Sequence, residues 1–200
     1  DVMLLKPNES IVFSGSVQNG LSMTSGNTET NTIRLGGDFG IKWAGQKISL
    51  GFVFNKIESH GNTSEFNWRG QAKYDRSLNS DWYLFYDNQA ERDRFKDLDL
   101  RVSLGLGLGY LVFDRPSLRL AFEVGFSHVK TDYYQEESIQ YDAGRWSVNF
   151  TKPVLGKTVI FFHSNTGVFG IANSDNFFIK SQTGLNWPIT KDIFGTMEWD

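Results

Sequence analysis

A two-residue alternation of apolar with small or polar side chains runs through most of this chain and constrains its fold more than any other feature. From Leu98 to Tyr110 every even position is leucine, valine or tyrosine. The odd positions hold Asp99, Arg101, a serine and three glycines. Because successive side chains of a strand point to opposite faces, this segment is predicted to form a long strand with one apolar and one polar face.

The same alternation recurs along the chain and predicts about eleven long strands and no helix. It is weaker over 81–91 and 157–168, and it changes phase within 139–151, where we predict a β-bulge. Tight turns, such as that at 44–46, alternate with longer polar loops, such as that at 58–63. This order is typical of an antiparallel up-and-down meander.

The alternation by itself leaves two folds open. One is a soluble barrel or sandwich with the apolar face inside. The other is an outer-membrane barrel with the apolar face in lipid and a polar lumen. Strand length favours the membrane barrel, since a tilted strand crosses a bilayer in about nine to eleven residues. The polar face also favours it, because glycine, serine and sparse charges suit a crowded lumen better than a water-exposed surface.

Aromatic residues on the apolar face are a third indication of a membrane barrel. They cluster at the strand ends next to the tight turns, as in the aromatic girdle of a membrane interface. The predicted girdle comprises Trp43, Tyr74, Trp82, Tyr110, Phe150 and Trp187. We therefore predict an all-β, antiparallel, up-and-down transmembrane β-barrel.

We expect a lead-in segment at 1–9 and a single barrel domain over 10–200. Bacterial single-chain barrels have even strand numbers, so about twelve strands are expected where about eleven are visible. The sequence therefore predicts that a closing C-terminal strand is missing from this chain.

The polar face carries charges of both signs, which we predict to face the lumen. These residues are Arg34, Asp38, Lys42, Arg69, Lys73, Asp99, Arg101, Arg119, Glu123 and Lys180. Two hypotheses follow. The charges form an ion-pair network that closes a narrow barrel, or they line a water-filled, weakly selective passive channel.

Composition excludes several other functions. A net charge of −3 argues against nucleic-acid binding, and zero cysteines with three dispersed histidines argue against a transition-metal site. Acidic residues of the loops, Asp93, Asp97 and Asp99 in one and Asp132, Glu136 and Glu137 in another, are interpreted as solvated rather than as calcium ligands. We predict no catalytic residue, no cofactor and no bound metal, and outer-membrane lipids as the partners.

Three motifs carry a family resemblance. SGNTETNT stands at Ser25–Thr32, Asp93–Phe95 precedes two acidic residues and Arg101, and GLGLGY stands at Gly105–Tyr110. In this order they resemble the salt-induced outer membrane protein family, the domain of unknown function 481. The resemblance covers about residues 11 to 200 and implies a bacterial outer-membrane barrel whose molecular function is not established.

The expected location is therefore the outer membrane of a Gram-negative bacterium. The expected role is a narrow passive channel or an envelope component in osmotic stress. One alternative is an outer-membrane lipid hydrolase or acyltransferase that uses loop residues around Ser59 and His60, since serine and histidine together can support acyl transfer. The other alternative is a soluble ligand-binding β-barrel.

Overall fold

The structure is a computed structural model that describes residues 10–24, 30–172, 177–188 and 194–199. Its strands are β1 (Val12–Thr24), β2 (Thr30–Trp43), β3 (Gln46–Ser59), β4 (Asn62–Ser77), β5 (Trp82–Asp93), β6 (Leu98–Arg115), β7 (Leu118–Tyr133), β8 (Ile139–Val154), β9 (Val159–Gly170), β10 (Phe177–Pro188) and β11 (Phe194–Trp199). Two short 3₁₀ turns lie at Arg94–Lys96 and Leu155–Lys157. The predicted lead-in at 1–9 and the GNT motif within 25–29 lie outside the described residues.

The strands form one sheet in which each is hydrogen-bonded to its neighbours in chain order, β1 to β11. Each pair whose register is described is antiparallel. The all-β antiparallel class and the up-and-down order are therefore confirmed, and the strand number agrees with the prediction. No helix within the described residues is long and apolar enough to span a membrane.

Two tight turns close the β2–β3 and β3–β4 hairpins. Ala44 and Gly45 have φ angles of 40° and 73°, and His60 and Gly61 have φ angles of 50° and 74°. Positive φ at both central residues matches the right-handed twist of a hairpin, so each connection needs only two residues. The longer loop predicted at 58–63 is wrong, because β3 continues to Ser59 and β4 begins at Asn62.

The predicted phase change in β8 is present, but without a bulge against β9. Ala143 and Gly144 are adjacent and both buried, which breaks strict alternation. The register between β8 and β9 nevertheless runs without interruption from Ala143 to Val154. Among the strand pairs whose register is described, β3 and β4 show a register shift, at Ile57 and Glu58.

The chain divides into two compact units. The first comprises residues 1–76, 85–104 and 128–141, and the second comprises residues 77–84, 105–127 and 142–200.

In the second unit, burial along β7 is the reverse of that in a soluble protein. Glu123 and Ser127 are 2% and 5% exposed, whereas the alternating Val124 and Phe126 are 61% and 66% exposed. The small and polar face of this strand is the buried one, and its apolar face is open.

Candidate functional site

In the first unit, one carboxylate joins two arginines on neighbouring strands. Arg69 of β4 donates from Nε to Glu91 Oε2 of β5 at 2.9 Å. Arg101 of β6 donates from Nη1 to Glu91 Oε1 at 3.0 Å and from Nε to Thr131 Oγ1 of β7 at 3.2 Å. We call these four residues the Glu91 cluster. All four are paired across adjacent strands, so the charges lie along the sheet.

Amides extend the polar face of the first unit beyond this cluster. Asn67, two residues before Arg69 and so on the same face, accepts a hydrogen bond from Asn55 at 3.0 Å. It donates to Glu65 at 2.8 Å. These contacts place further hydrogen-bonding groups on β3 and β4 of the first unit.

In the second unit, a buried glutamate, Glu123, has a tyrosine and an arginine among its partners. Tyr83 of β5 donates its hydroxyl to Glu123 Oε1 of β7 at 2.8 Å. Arg145 Nη2 of β8 lies 3.7 Å from Glu123 Oε2. Between β5 and β7, the Tyr83 ring lies over Gly109 of β6, where a Cβ would stand 2.1 Å from the ring Cζ. We call Tyr83, Gly109, Glu123 and Arg145 the Glu123 cluster.

Both clusters supply fixed charge and hydrogen-bonding groups rather than a reactive constellation. Each carboxylate is held by guanidinium or hydroxyl donors, and charged groups removed from water need such partners. The arrangement can attract, repel or orient ions and polar solutes at the polar face.

The residues predicted to face the lumen divide into three groups. Arg69, Arg101 and Glu123 belong to the two clusters. Three others pair locally: Lys73 with Asp75, Asp99 with Arg92, and Arg119 with Asp114. The remaining four are not part of either cluster: Asp38 accepts from Ser16 at 3.3 Å, Arg34 and Lys42 are exposed on β2, and Lys180 is half-buried on β10.

Sequence reasoning missed Glu91, Tyr83, Thr131 and Arg145. Two of them, Tyr83 and Glu91, lie in the segment where the alternation is weak, because β5 carries the buried aromatics Tyr83 and Phe85 on the same face as Glu91. Arg145 follows the phase change at Ala143. The signal that could have found Glu91 is its even spacing from Tyr83.

The predicted girdle residues lie near strand ends. In the first unit, Trp43 ends β2 and the Tyr74 hydroxyl donates to Gln46 Oε1 at 2.7 Å. In the second unit, the Trp82 and Tyr110 rings lie 4.8 Å apart between centroids.

The other two members also lie in the second unit. Phe150 of β8 contacts Phe161 of β9, with 5.9 Å between the ring centroids. Trp187 is the penultimate residue of β10.

Acidic loop residues are bound by cations of the same chain. Asp93 pairs with Lys96 and accepts a hydrogen bond from the Phe95 backbone N–H, and Asp132 pairs with Lys130. Within the ranges that the structure describes, no three potential metal ligands converge.

Two of the histidines, His60 and His163, have different surroundings. His60 is exposed at the tip of its turn, with Nδ1 3.2 Å from Ser59 Oγ. His163 Nδ1 lies 2.8 Å from Thr183 Oγ1 on the paired strand.

A pocket of about 570 Å³ lies in the first unit, at the end of the strands where the connections at 60–61 and 94–97 stand. We refer to this end as the loop end. Its lining includes Lys56, Phe66, Arg92, Arg94 and Tyr134. We call it the loop-end pocket.

Comparison with known families gives one match. The model of a family described as "Protein of unknown function, DUF481" matches residues 17–198. This range includes both clusters and the loop-end pocket. No curated protein sequence matches the chain.

Proposed function

This chain belongs to the DUF481 family of proteins of unknown function, and we propose that it is a Gram-negative outer-membrane β-barrel whose polar face lines a narrow passive channel. The observation that carries the proposal is the reversed burial in the second unit. Leu106, Phe122 and Val124 are exposed while Glu123 is buried. Exposing such side chains to water costs about 1.5–3 kcal/mol each, a cost that lipid removes.

The ion pairs support a lined lumen rather than a plugged one. In the Glu91 cluster each contact joins strands that are neighbours in the sheet, so the charged side chains are held along the wall. Guanidinium and carboxylate groups are both present, which favours weak selectivity between cations and anions. A role in osmotic adaptation of the envelope is compatible with such a channel.

The two alternatives are less well supported. A soluble ligand-binding barrel would place its apolar side chains in the core, and β7 has the opposite arrangement. A hydrolase at His60 would need a third group that orients the base and a site that holds an acyl group. His60 instead lies exposed on a two-residue turn.

Placing a charge on the open apolar face tests the membrane location. We expect Val124→Arg to lower the free energy of unfolding in phospholipid vesicles by about 2–4 kcal/mol, because the strand would bring a guanidinium into hydrocarbon. Urea titration followed by tryptophan fluorescence measures the loss. The matched control is Lys130→Arg. It introduces the same side chain at a position near the end of β7 that already carries a positive charge. An unaffected Val124→Arg protein that stays monomeric without detergent would contradict the membrane proposal.

Channel activity is tested separately in planar bilayers. The protein is expected to give discrete conductance steps, and Glu91→Gln is expected to shift the reversal potential toward anion selectivity by removing a negative charge from the polar face. Glu58→Gln, on the opposite face of the sheet, should leave the reversal potential unchanged. A protein that inserts without conductance steps would refute the channel and leave the membrane location standing.

A further inference from the structure

The loop-end pocket is lined in part by residues on the apolar face of β3 and β4. Lys56 of β3 is the cross-strand partner of Phe66 of β4. The Phe66 ring meets Phe54 edge to face, with centroids 5.6 Å apart. Phe54 shares its face of β3 with Phe52, which is exposed. The pocket therefore stands at the end of an open apolar surface.

Three cations contribute to the pocket lining. Lys56 pairs with Glu58 at 2.7 Å, and Arg92 pairs with Asp99 at 2.8 Å. The side chains in both pairs are at least a third exposed, so each pair is weak and can exchange its carboxylate for a stronger anion. Arg94 is exposed, and no carboxylate within the described residues pairs with it.

Arg92 is held in place by an aromatic residue. Its Nε donates to the Tyr134 hydroxyl at 2.7 Å, and its guanidinium lies 5.4 Å from the centroid of the same ring. A guanidinium whose orientation is fixed in this way loses less freedom when it binds a phosphate with two parallel hydrogen bonds. The pocket thus has a preorganised anion-binding group.

Asp97 adds a hydrogen-bond acceptor to the same pocket. Its Oδ1 atom is buried and accepts no hydrogen bond from the described residues. Buried polar atoms normally have a partner. A hydroxyl group of a ligand would provide one, and the rings of Phe66 and Tyr134 offer apolar surface to the ring of a sugar.

We propose that the loop-end pocket binds the phosphorylated sugar headgroup of a membrane glycolipid whose acyl chains lie along the apolar face of β3 and β4. The cations would bind the phosphate, Asp97 a sugar hydroxyl, and Leu50 and Phe52 the acyl chains. This inference rests on the proposed membrane location and adds the lipid class that the protein recognises.

Native mass spectrometry of the refolded protein in detergent micelles tests the proposal. The added lipids are bisphosphorylated lipid A, its fully dephosphorylated form and phosphatidylglycerol, with glucosamine 6-phosphate as the soluble headgroup. We expect bisphosphorylated lipid A to bind at least about tenfold more tightly than each of the others, because it alone combines phosphates, sugar hydroxyls and acyl chains.

Variants identify the pocket as the site. Arg92→Gln and Arg94→Gln are each expected to weaken lipid A binding about tenfold. Arg76→Gln, at the turn end of β4, is the matched control and should bind as the unaltered protein does. Asp97→Asn, which tolerates the positive φ of this position, is expected to reduce the preference for lipid A over phosphatidylglycerol.

The possible failures are distinguishable. Equal binding of dephosphorylated lipid A, or unchanged binding by both arginine variants, would overturn the glycolipid site while the membrane location stood. Equally tight binding of glucosamine 6-phosphate would show a site for a soluble sugar phosphate instead. A protein that refolds in water and takes up no lipid would contradict the membrane location itself.

Discussion

The Glu91 and Glu123 clusters are built from the same chemical groups but differ in burial. The Glu91 side chain is 18% exposed and has two arginine partners, at 2.9 and 3.0 Å. The Glu123 side chain is 2% exposed, and its partners include an arginine at 3.7 Å and a tyrosine hydroxyl at 2.8 Å. A partly exposed carboxylate that loses one partner keeps the other and gains water. A buried carboxylate has no such replacement, so each of its partners matters more.

The largest effect is expected from removing the cation beside Glu123. Arg145→Met should lower the free energy of unfolding by about 3–5 kcal/mol, because it removes a cation from beside a carboxylate that water does not reach. Urea titration of the protein in vesicles, followed by tryptophan fluorescence, measures the change.

A double variant separates the charge from the loss of packing. Glu123→Gln removes the buried negative charge, so combining it with Arg145→Met should recover most of the lost stability. If Arg145→Met alone cost no more than an exposed pair, about 1 kcal/mol or less, the contrast between the clusters would be refuted.

Gly109→Ala is expected to have an intermediate effect, about 1–3 kcal/mol of lost stability, because the new Cβ overlaps the Tyr83 ring and forces it to move. Gly70→Ala is the matched control, since no heavy atom outside its chain neighbours lies within 4 Å of a Cβ built there. In a Tyr83→Leu background the cost of Gly109→Ala should fall. An equal cost for Gly70→Ala and Gly109→Ala would show that strand propensity, not the ring, requires glycine.

A structural feature that depends on the residues of one strand can be predicted from the sequence, whereas a contact between strands also depends on how those strands are aligned. The two faces of β6 follow from its own residues, and the glycine at position 109 leaves room on the polar face for the Tyr83 ring. The Glu123–Arg145 pair could not be predicted, because it depends on how β8 is aligned after its phase change at Ala143 and Gly144.

Local polarity misled the prediction at two places. The polar residues around His60 suggested a long loop, but the length of a hairpin connection depends on which residues adopt positive φ. In β5 the aromatic Tyr83 and Phe85 share a face with Glu91. The sequence pattern therefore did not identify this face of β5 as the polar one.

The smallest effect is expected at the Glu91 cluster. Arg69→Gln should lower the free energy of unfolding by about 1 kcal/mol or less, because Arg101 still binds Glu91 and water reaches the carboxylate. The same urea titration measures it, and repeating the titration in high salt should shrink the difference further, since exposed charges are screened. The loss caused by Arg145→Met should change little with salt, because buried charges are screened much less. A loss at Arg69 as large and as salt-independent as that at Arg145 would mean that Glu91 is enclosed as fully as Glu123, and it would refute burial as the difference between the two clusters.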